Sequence, residues 1–246
     1  MTPSTHRSFS PSLHLPALLA CLALIAGCSS PFNDAVSLFD GKSLEGWEIQ
    51  ETEAQWWRVN DGAIEGGSMD VKVPHNTFAT LPKSYANFEL TMKVRLIDGG
   101  SDGFKNSGIQ VRSQRLPNHY EMIGYQVDAG TGWWGKLYDE SRRRKVISEP
   151  VDADAVKAAV HDWDEWNEYR ILCEGPRIRS WINGVLTFDF TEEDPNMPLE
   201  GLIGIQAHGG GIFVVQFKDI ALRELPDTPG IKTWEGVELK AWPKPQ

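Results

Sequence analysis

Six polar residues sit at alternate positions in three otherwise apolar stretches. They are Gln110 and Arg112 in NSGIQVR, Gln126 and Asp128 in YEMIGYQVDAG, and Gln206 and His208 in GLIGIQAHGG. Together they offer amides for hydroxyl groups, a carboxylate, an imidazole that titrates near neutrality and a permanent cation. That set suits proton transfer on a polyhydroxylated substrate. In strands, alternate residues point to opposite faces. Ile109, Val111, Ile123, Tyr125, Val127, Ile203, Ile205 and Ala207 then face one way and the six polar groups the other. Solvated faces usually carry Lys, Glu, Ser and Thr, so Gln, Arg, Asp and His together read as a site. Asn106 opens the first stretch, where Asn106-Ser107-Gly108 reads equally as a turn. WWGKLYDE adds Trp133 and Trp134 as an aromatic rim, with Lys136 and Tyr138 beside them.

The elements that must position these groups are short strands. Trp56–Val59, Asn60-Asp61-Gly62 and Ala63–Gly66 form a hairpin pattern, and Phe88–Arg95 alternates cleanly. Arg177–Ile182, Asn183-Gly184 and Val185–Phe190 carry the strongest hairpin signal. Leu44–Ile49, Phe78–Leu81, Trp166–Cys173, Gly201–Ala207 and Ile212–Leu222 are further strands. Val151–Val160 is the one helix-like piece, with Asp152 or Asp154 as its cap. Turn signals about every ten residues and little helix predict an all-β fold, a two-sheet antiparallel jelly roll. The jelly roll is expected over 36–225, followed by a Pro-rich tail over 226–246.

Residues 1–27 read as a lipoprotein signal peptide. His6 and Arg7 precede the apolar run Leu13–Ile25, which is short against the roughly 20 residues that span a bilayer. Ile25-Ala26-Gly27-Cys28 resembles a bacterial lipobox, which implies cleavage before Cys28, a lipid on its sulfur and a short linker over 28–35. The expected location is the bacterial cell envelope, on its periplasmic or outer-surface side. Cys28→Ser should move the chain from the membrane fraction to the soluble one, or leave it unprocessed. Native mature chain recovered free of membrane would remove the anchor.

Net charge of −10 argues against nucleic acid. Cys173 is the one cysteine left after the signal and the lipid site, so the mature chain has no internal disulfide. No CxxC or HExxH occurs. A divalent metal ion is the one cofactor left open, with Asp98, Asp102 and Asp128 as oxygen ligands and no spacing that makes the case. Of ten tryptophans, Trp47, Trp56, Trp57, Trp166 and Trp181 read as core. Arg142–Lys145 reads as a solvated basic loop, with contact to an acidic sugar or a lipid headgroup as the alternative.

LFDGKSLEGW, WRVNDGAIEG, NSGIQVR, GYQVDAG, EWNEYRI, ING and GIQAHG occur in the order seen in the bacterial DUF1080 family. The chain resembles that family from Val36 to Leu225. The resemblance implies a concanavalin A-like jelly roll and activity on 3-keto-disaccharides, as 3-keto-glucoside 1,2-lyase, 3-keto-2-hydroxy-glucal hydratase or net hydrolase. Many members carry Glu two residues before the Gln of the YQ motif, where this chain has Gly124. Glu121 is the nearest carboxylate, although alternation puts it on the other face. A ketone at C3 acidifies the C2 hydrogen, so elimination needs a base, an enolate stabiliser and an acid for the leaving group. His208, Asp128, Arg112 and Glu121 are the catalytic candidates. Asn106, Gln110, Gln126, Gln206, Trp133, Trp134, Lys136 and Tyr138 are the substrate-binding ones.

Two other functions fit the same sequence: a carbohydrate-binding module without chemistry, and a conventional retaining glycosidase with two close carboxylates. The ExDxxE pattern of one glycosidase group is absent. Sugar, linkage and oligomeric state are not encoded in any motif.

Overall fold

The computed structural model describes residues 1, 34–100, 104–161 and 164–240. The signal segment, Cys28 and Asp102 lie outside them. In chain order the strands begin with β1 (Val36–Ser37), β2 (Glu48–Ile49), β3 (Trp57–Asn60), β4 (Ala63–Ser68) and β5 (Thr77–Thr80). Next come β6 (Phe88–Asp98), β7 (Asn106–Arg115), β8 (Met122–Gly130), β9 (Leu137–Glu140) and β10 (Val146–Ser148). After the helix α1 (Ala153–Ala159) follow β11 (Asn167–Glu174), β12 (Arg177–Ile182), β13 (Val185–Thr191), β14 (Leu202–Ala207) and β15 (Phe213–Glu224).

They form two antiparallel sheets, the expected jelly-roll sandwich. One runs β13-β12-β11-β6-β15-β4-β3 with β1 on β15; the other runs β10-β9-β8-β7-β14-β5-β2. The predicted hairpins follow from turn chemistry. Asn183 and Gly184 take φ of 48° and 82°, and Asp61 and Gly62 take 49° and 69°. Two successive positive φ values match the twist of the flanking strands, and these residue types adopt them at least cost. Asp152 caps α1 by accepting from Ala155 N at 2.9 Å. Sequence periodicity missed β1, β10 and a 3-10 segment, Glu51–Trp56, and it overextended β2.

The core lies between the sheets. Leu90, Met92, Val94 and Leu96 of β6, with Tyr169, Ile171 and Cys173 of β11, meet Ile109, Val111, Tyr125, Val127, Ile203 and Ile205 of the other sheet. Trp47 and Trp57 are buried there, and Trp56 packs against it. Trp166 and Trp181 are half-buried under cations instead: Arg95 lies 4.5 Å from the Trp166 ring and Arg170 4.1 Å from the Trp181 ring. The tail lies on the domain as far as it is described. Trp234 packs on Leu116 and Ile123 and donates from Nε1 to Arg112 O at 3.1 Å. Among the described residues no helix is long and apolar enough to cross a membrane.

Candidate active site

The face of the β7–β8–β14 sheet turned away from the core carries a chain of amides. Ser113 Oγ donates to Gln110 Oε1 at 2.7 Å, and Gln110 Nε2 donates to Gln126 Oε1 at 2.7 Å. Gln206 Nε2 donates to the same Gln126 oxygen at 3.0 Å, and Gln126 Nε2 donates to Asp128 Oδ1 at 2.8 Å. All five of these residues are buried. Gly108, opposite Asp128, makes room: a Cβ there would lie 2.5 Å from Gln126 Cγ. Among the described residues, Asp128 Oδ2, Gln206 Oε1 and Asn106 Oδ1 have no hydrogen-bond partner. Buried acceptors without donors cost stability, and a hydroxylated ligand satisfies such atoms.

Alternation fails at Arg112, expected on this face. Register between β7 and β8 shifts after Val111, and Arg112 takes φ of 50°. The bulge turns its side chain inward. Nε donates to Ala86 O at 2.7 Å, Nη1 to Gly175 O at 2.7 Å and Nη2 to Asn87 Oδ1 at 3.2 Å. Those acceptors flank strands of the opposite sheet, so Arg112 is a tie between sheets. Arg112→Ala should cost about 2–5 kcal/mol by leaving a cavity and removing the guanidinium from the Ala86 and Gly175 carbonyls. Calorimetry should show the melting temperature several degrees lower. An unchanged melting temperature with lost turnover would return Arg112 to the site.

Glu121 departs from alternation in the other direction. It precedes β8, so strand parity does not govern it, and its Oε1 accepts from Asn76 Nδ2 at 3.0 Å. Asn76 Oδ1 in turn accepts from Gly209 N at 3.0 Å, linking Glu121 to the segment that carries His208. Glu140 stands on β9 opposite Gly124, on the face of Gln126 and Tyr138. Gly124 has φ of 140°, and a Cβ there would sit 2.4 Å from Ser113 Oγ. A side chain at 124 is therefore excluded by the bulge, and the neighbouring strand brings the carboxylate.

Burial and the charge of Glu140 push Glu121 up to about 8. Burial also raises Glu140, although Ser141 N donates to its Oε1 at 2.9 Å and favours its charged form. Of the two, Glu121 keeps its proton to about pH 8, whereas Ser141 N favours the charged form of Glu140. The positive charge of Arg144 acts on both. Asp128 is raised well above the usual carboxylate range, first by burial.

His208 is held through Nδ1, 2.6 Å from Gly209 O. A carbonyl only accepts, so Nδ1 carries the hydrogen and Nε2 is left as the basic atom. Burial lowers the His208 pKa and keeps the ring neutral. Phe104 meets that ring edge-on at 5.5 Å. His75, which sequence reasoning missed, stacks on Tyr120 at 4.2 Å beside Asn76.

Trp133 and Trp134 diverge. Trp133 contacts Tyr138 edge-on at 6.0 Å, with Lys136 Nζ 5.3 Å from its ring centre. Trp134 instead packs on the core near Tyr169, so it does not form a rim with Trp133. It lines a cavity of about 610 Å³ beside α1, together with Lys136, Val156 and His161. That cavity holds none of the floor amides. Nor does Arg142–Lys145 form a solvated loop: Arg142 is buried, Arg143 pairs with Asp139 and Glu192, and Lys145 alone is exposed.

The metal candidates are not gathered. Asp98 ends β6 of the other sheet, 4.0 Å from Lys105 Nζ, whereas Asp128 lies on the amide floor. Among the described residues no group of three or more His, Cys, Asp or Glu side chains is placed to hold a metal ion.

A family model described as a 3-keto-alpha-glucoside-1,2-lyase-like domain matches residues 34–223. No curated protein matches the chain. A candidate glycosyl hydrolase from Parabacteroides distasonis superposes with a TM-score of 0.58 at 20% identity, covering 78% of this chain and 94% of that one. The carbohydrate-binding module CBM66 from Bacillus subtilis gives 0.52 at 17% identity, over 73% and 96% of the two chains. The exoplasmic/lumenal domain of VIP36, in its Ca2+/mannose-bound form, gives 0.58 at 8% identity, over 85% and 98%. These likenesses show the jelly-roll fold.

Proposed function

We propose that this chain, which belongs to the 3-keto-alpha-glucoside-1,2-lyase-like family, cleaves 3-keto-glycosides by elimination across C1 and C2 followed by rehydration. The observation that carries the reading is the Glu121–Glu140 pair beside a floor of buried oxygens that have no partner among the described residues. Glu121 keeps its proton to about pH 8 and Ser141 N favours charge on Glu140, a pairing suited to taking one proton and giving another.

Glu140 removes the C2 hydrogen as a proton, and the C–H electron pair forms the C2–C3 enolate. Asp128, whose burial favours the neutral acid, donates from Oδ2 to the oxygen on C3. A neutral carboxylic acid stabilises an enolate in this way without adding charge. The enolate then expels the C1–oxygen bond, and Glu121 protonates the departing oxygen. The product is the 3-keto-2-hydroxy-glucal. Hydroxide from water adds to C1 and a proton to C2, which completes net hydrolysis. Gln110, Gln126, Gln206 and Asn106 hold hydroxyls. His208, Trp133, Lys136 and Tyr138 line the approach.

A binding module has use for the amide floor but not for a carboxyl pair that shares a proton. The test is incubation with matched 3-keto and unoxidised disaccharides, following the released sugar. The keto member alone should be cleaved. Tight binding of both with cleavage of neither would favour the module.

A further inference from the structure

We propose that the cavity between the β9–β10 connection and the C-terminal tail is a binding site for a small monocarboxylate with an apolar body. Ile123, Met197, Pro198, Trp234 and Val237 supply its apolar wall, and Arg142 its buried cation, in a volume of about 440 Å³. It is separate from the amide floor, none of whose residues line it.

The Arg142 guanidinium is held on one edge and lacks acceptors on the other among the described residues. Nε donates to both carboxylate oxygens of Asp139, at 2.9 and 3.1 Å. Its carbon lies 4.5 Å from the Tyr125 ring centre and 5.8 Å from that of Trp234. The side chain is only 9% exposed, yet Nη1 and Nη2 have no acceptor among the described residues. Buried donors of a charged group left without acceptors are unfavourable. A planar guanidinium already held by rings and a carboxylate presents those two nitrogens as a fork, the geometry that pairs with a carboxylate.

The surroundings select a monoanion. Arg143 is engaged by Asp139 and by Glu192, at 3.2 and 2.5 Å. Arg144 acts on Glu121 and Glu140. With Glu238 also on the wall, nearby carboxylates already offset the cations, so a dianion meets repulsion. The apolar wall asks for a hydrocarbon or aromatic body behind the headgroup.

The test is calorimetric titration of the full mature chain with octanoate, octanol, acetate and inorganic phosphate. Octanoate should bind saturably at one site, at least about tenfold more tightly than the other three, because each lacks the head, the body or the single charge. Arg142→Met should weaken octanoate at least tenfold. Arg142 supports Asp139, so a second variant guards against misfolding. Val237→Glu places a like charge at the mouth, on a residue 38% exposed, and should weaken octanoate as strongly. No saturable octanoate binding, equal binding of octanol or phosphate, or undiminished binding by folded Arg142→Met or Val237→Glu would overturn the proposal.

Discussion

Replacing Glu140 by Gln is expected to lower turnover of a 3-keto-disaccharide by about 10²–10⁴-fold, the usual contribution of a positioned general base. Gln keeps the shape and loses the basic oxygen. Glu121→Gln should reduce turnover comparably for the opposite reason, since it removes the proton meant for the leaving group. The pH profile separates the two. Glu121 loses its proton near pH 8 in the folded chain, so turnover should fall as pH rises through that value. Glu121→Gln should abolish that limb. Full turnover in folded Glu140→Gln would dismiss Glu140 as the base.

The same pair makes a stability prediction with a defined sign. The Glu121 pKa is raised from 4.5 to about 8, so the folded state binds more protons than the unfolded state between those values. Its favourable contribution is full below 4.5 and is lost as pH rises to about 8. The slope is at most about 1.4 kcal/mol per pH unit for one proton. Melting temperatures should therefore rise on acidification from pH 8 toward 5. Glu121→Gln should flatten that rise, a response that a purely substrate-binding Glu121 on the surface would not give.

Alternation located Gln110, Gln126, Asp128 and Gln206 because their stretches of β7, β8 and β14 pair in unbroken antiparallel register. Period two holds only where the ladder is continuous. It failed at Arg112, one residue beyond Val111, where a bulge reverses parity. Nothing in NSGIQVRSQR marks that bulge. It failed at Glu121 because the residue belongs to the β7–β8 connection. Glu140 was legible in principle, since LYDE puts it in phase with Tyr138. Asn76, His75 and Arg144 come from loops that tertiary packing brings to the face, and short-range pattern carries no trace of such placement. The predicted jelly roll was more secure than the site, because many strands and turns each reported it independently.

Deuterium from solvent should appear at C2 of the product if cleavage proceeds by elimination and rehydration. Only the C3 ketone makes the C2 hydrogen removable, so the unoxidised disaccharide should be inert. When water adds across the enone, the proton at C2 comes from solvent or from a carboxyl that exchanges with it. Substrate deuterated at C2 should also react more slowly when proton abstraction limits the rate. A retaining glycosidase offers the sharpest contrast, because it too uses two carboxylates. In that mechanism one carboxylate attacks C1 and the other protonates the glycosidic oxygen. The C2–H bond is never broken, and an unoxidised sugar is the proper substrate. A free 3-keto sugar exchanges its C2 hydrogen slowly by itself, so the product must be incubated alone in deuterated water as a control. Deuterium above that control, with Glu140→Gln suppressing release and incorporation together, is the outcome expected here. Release with no excess deuterium and no effect of C2 labelling would instead assign Glu121 and Glu140 to direct hydrolysis.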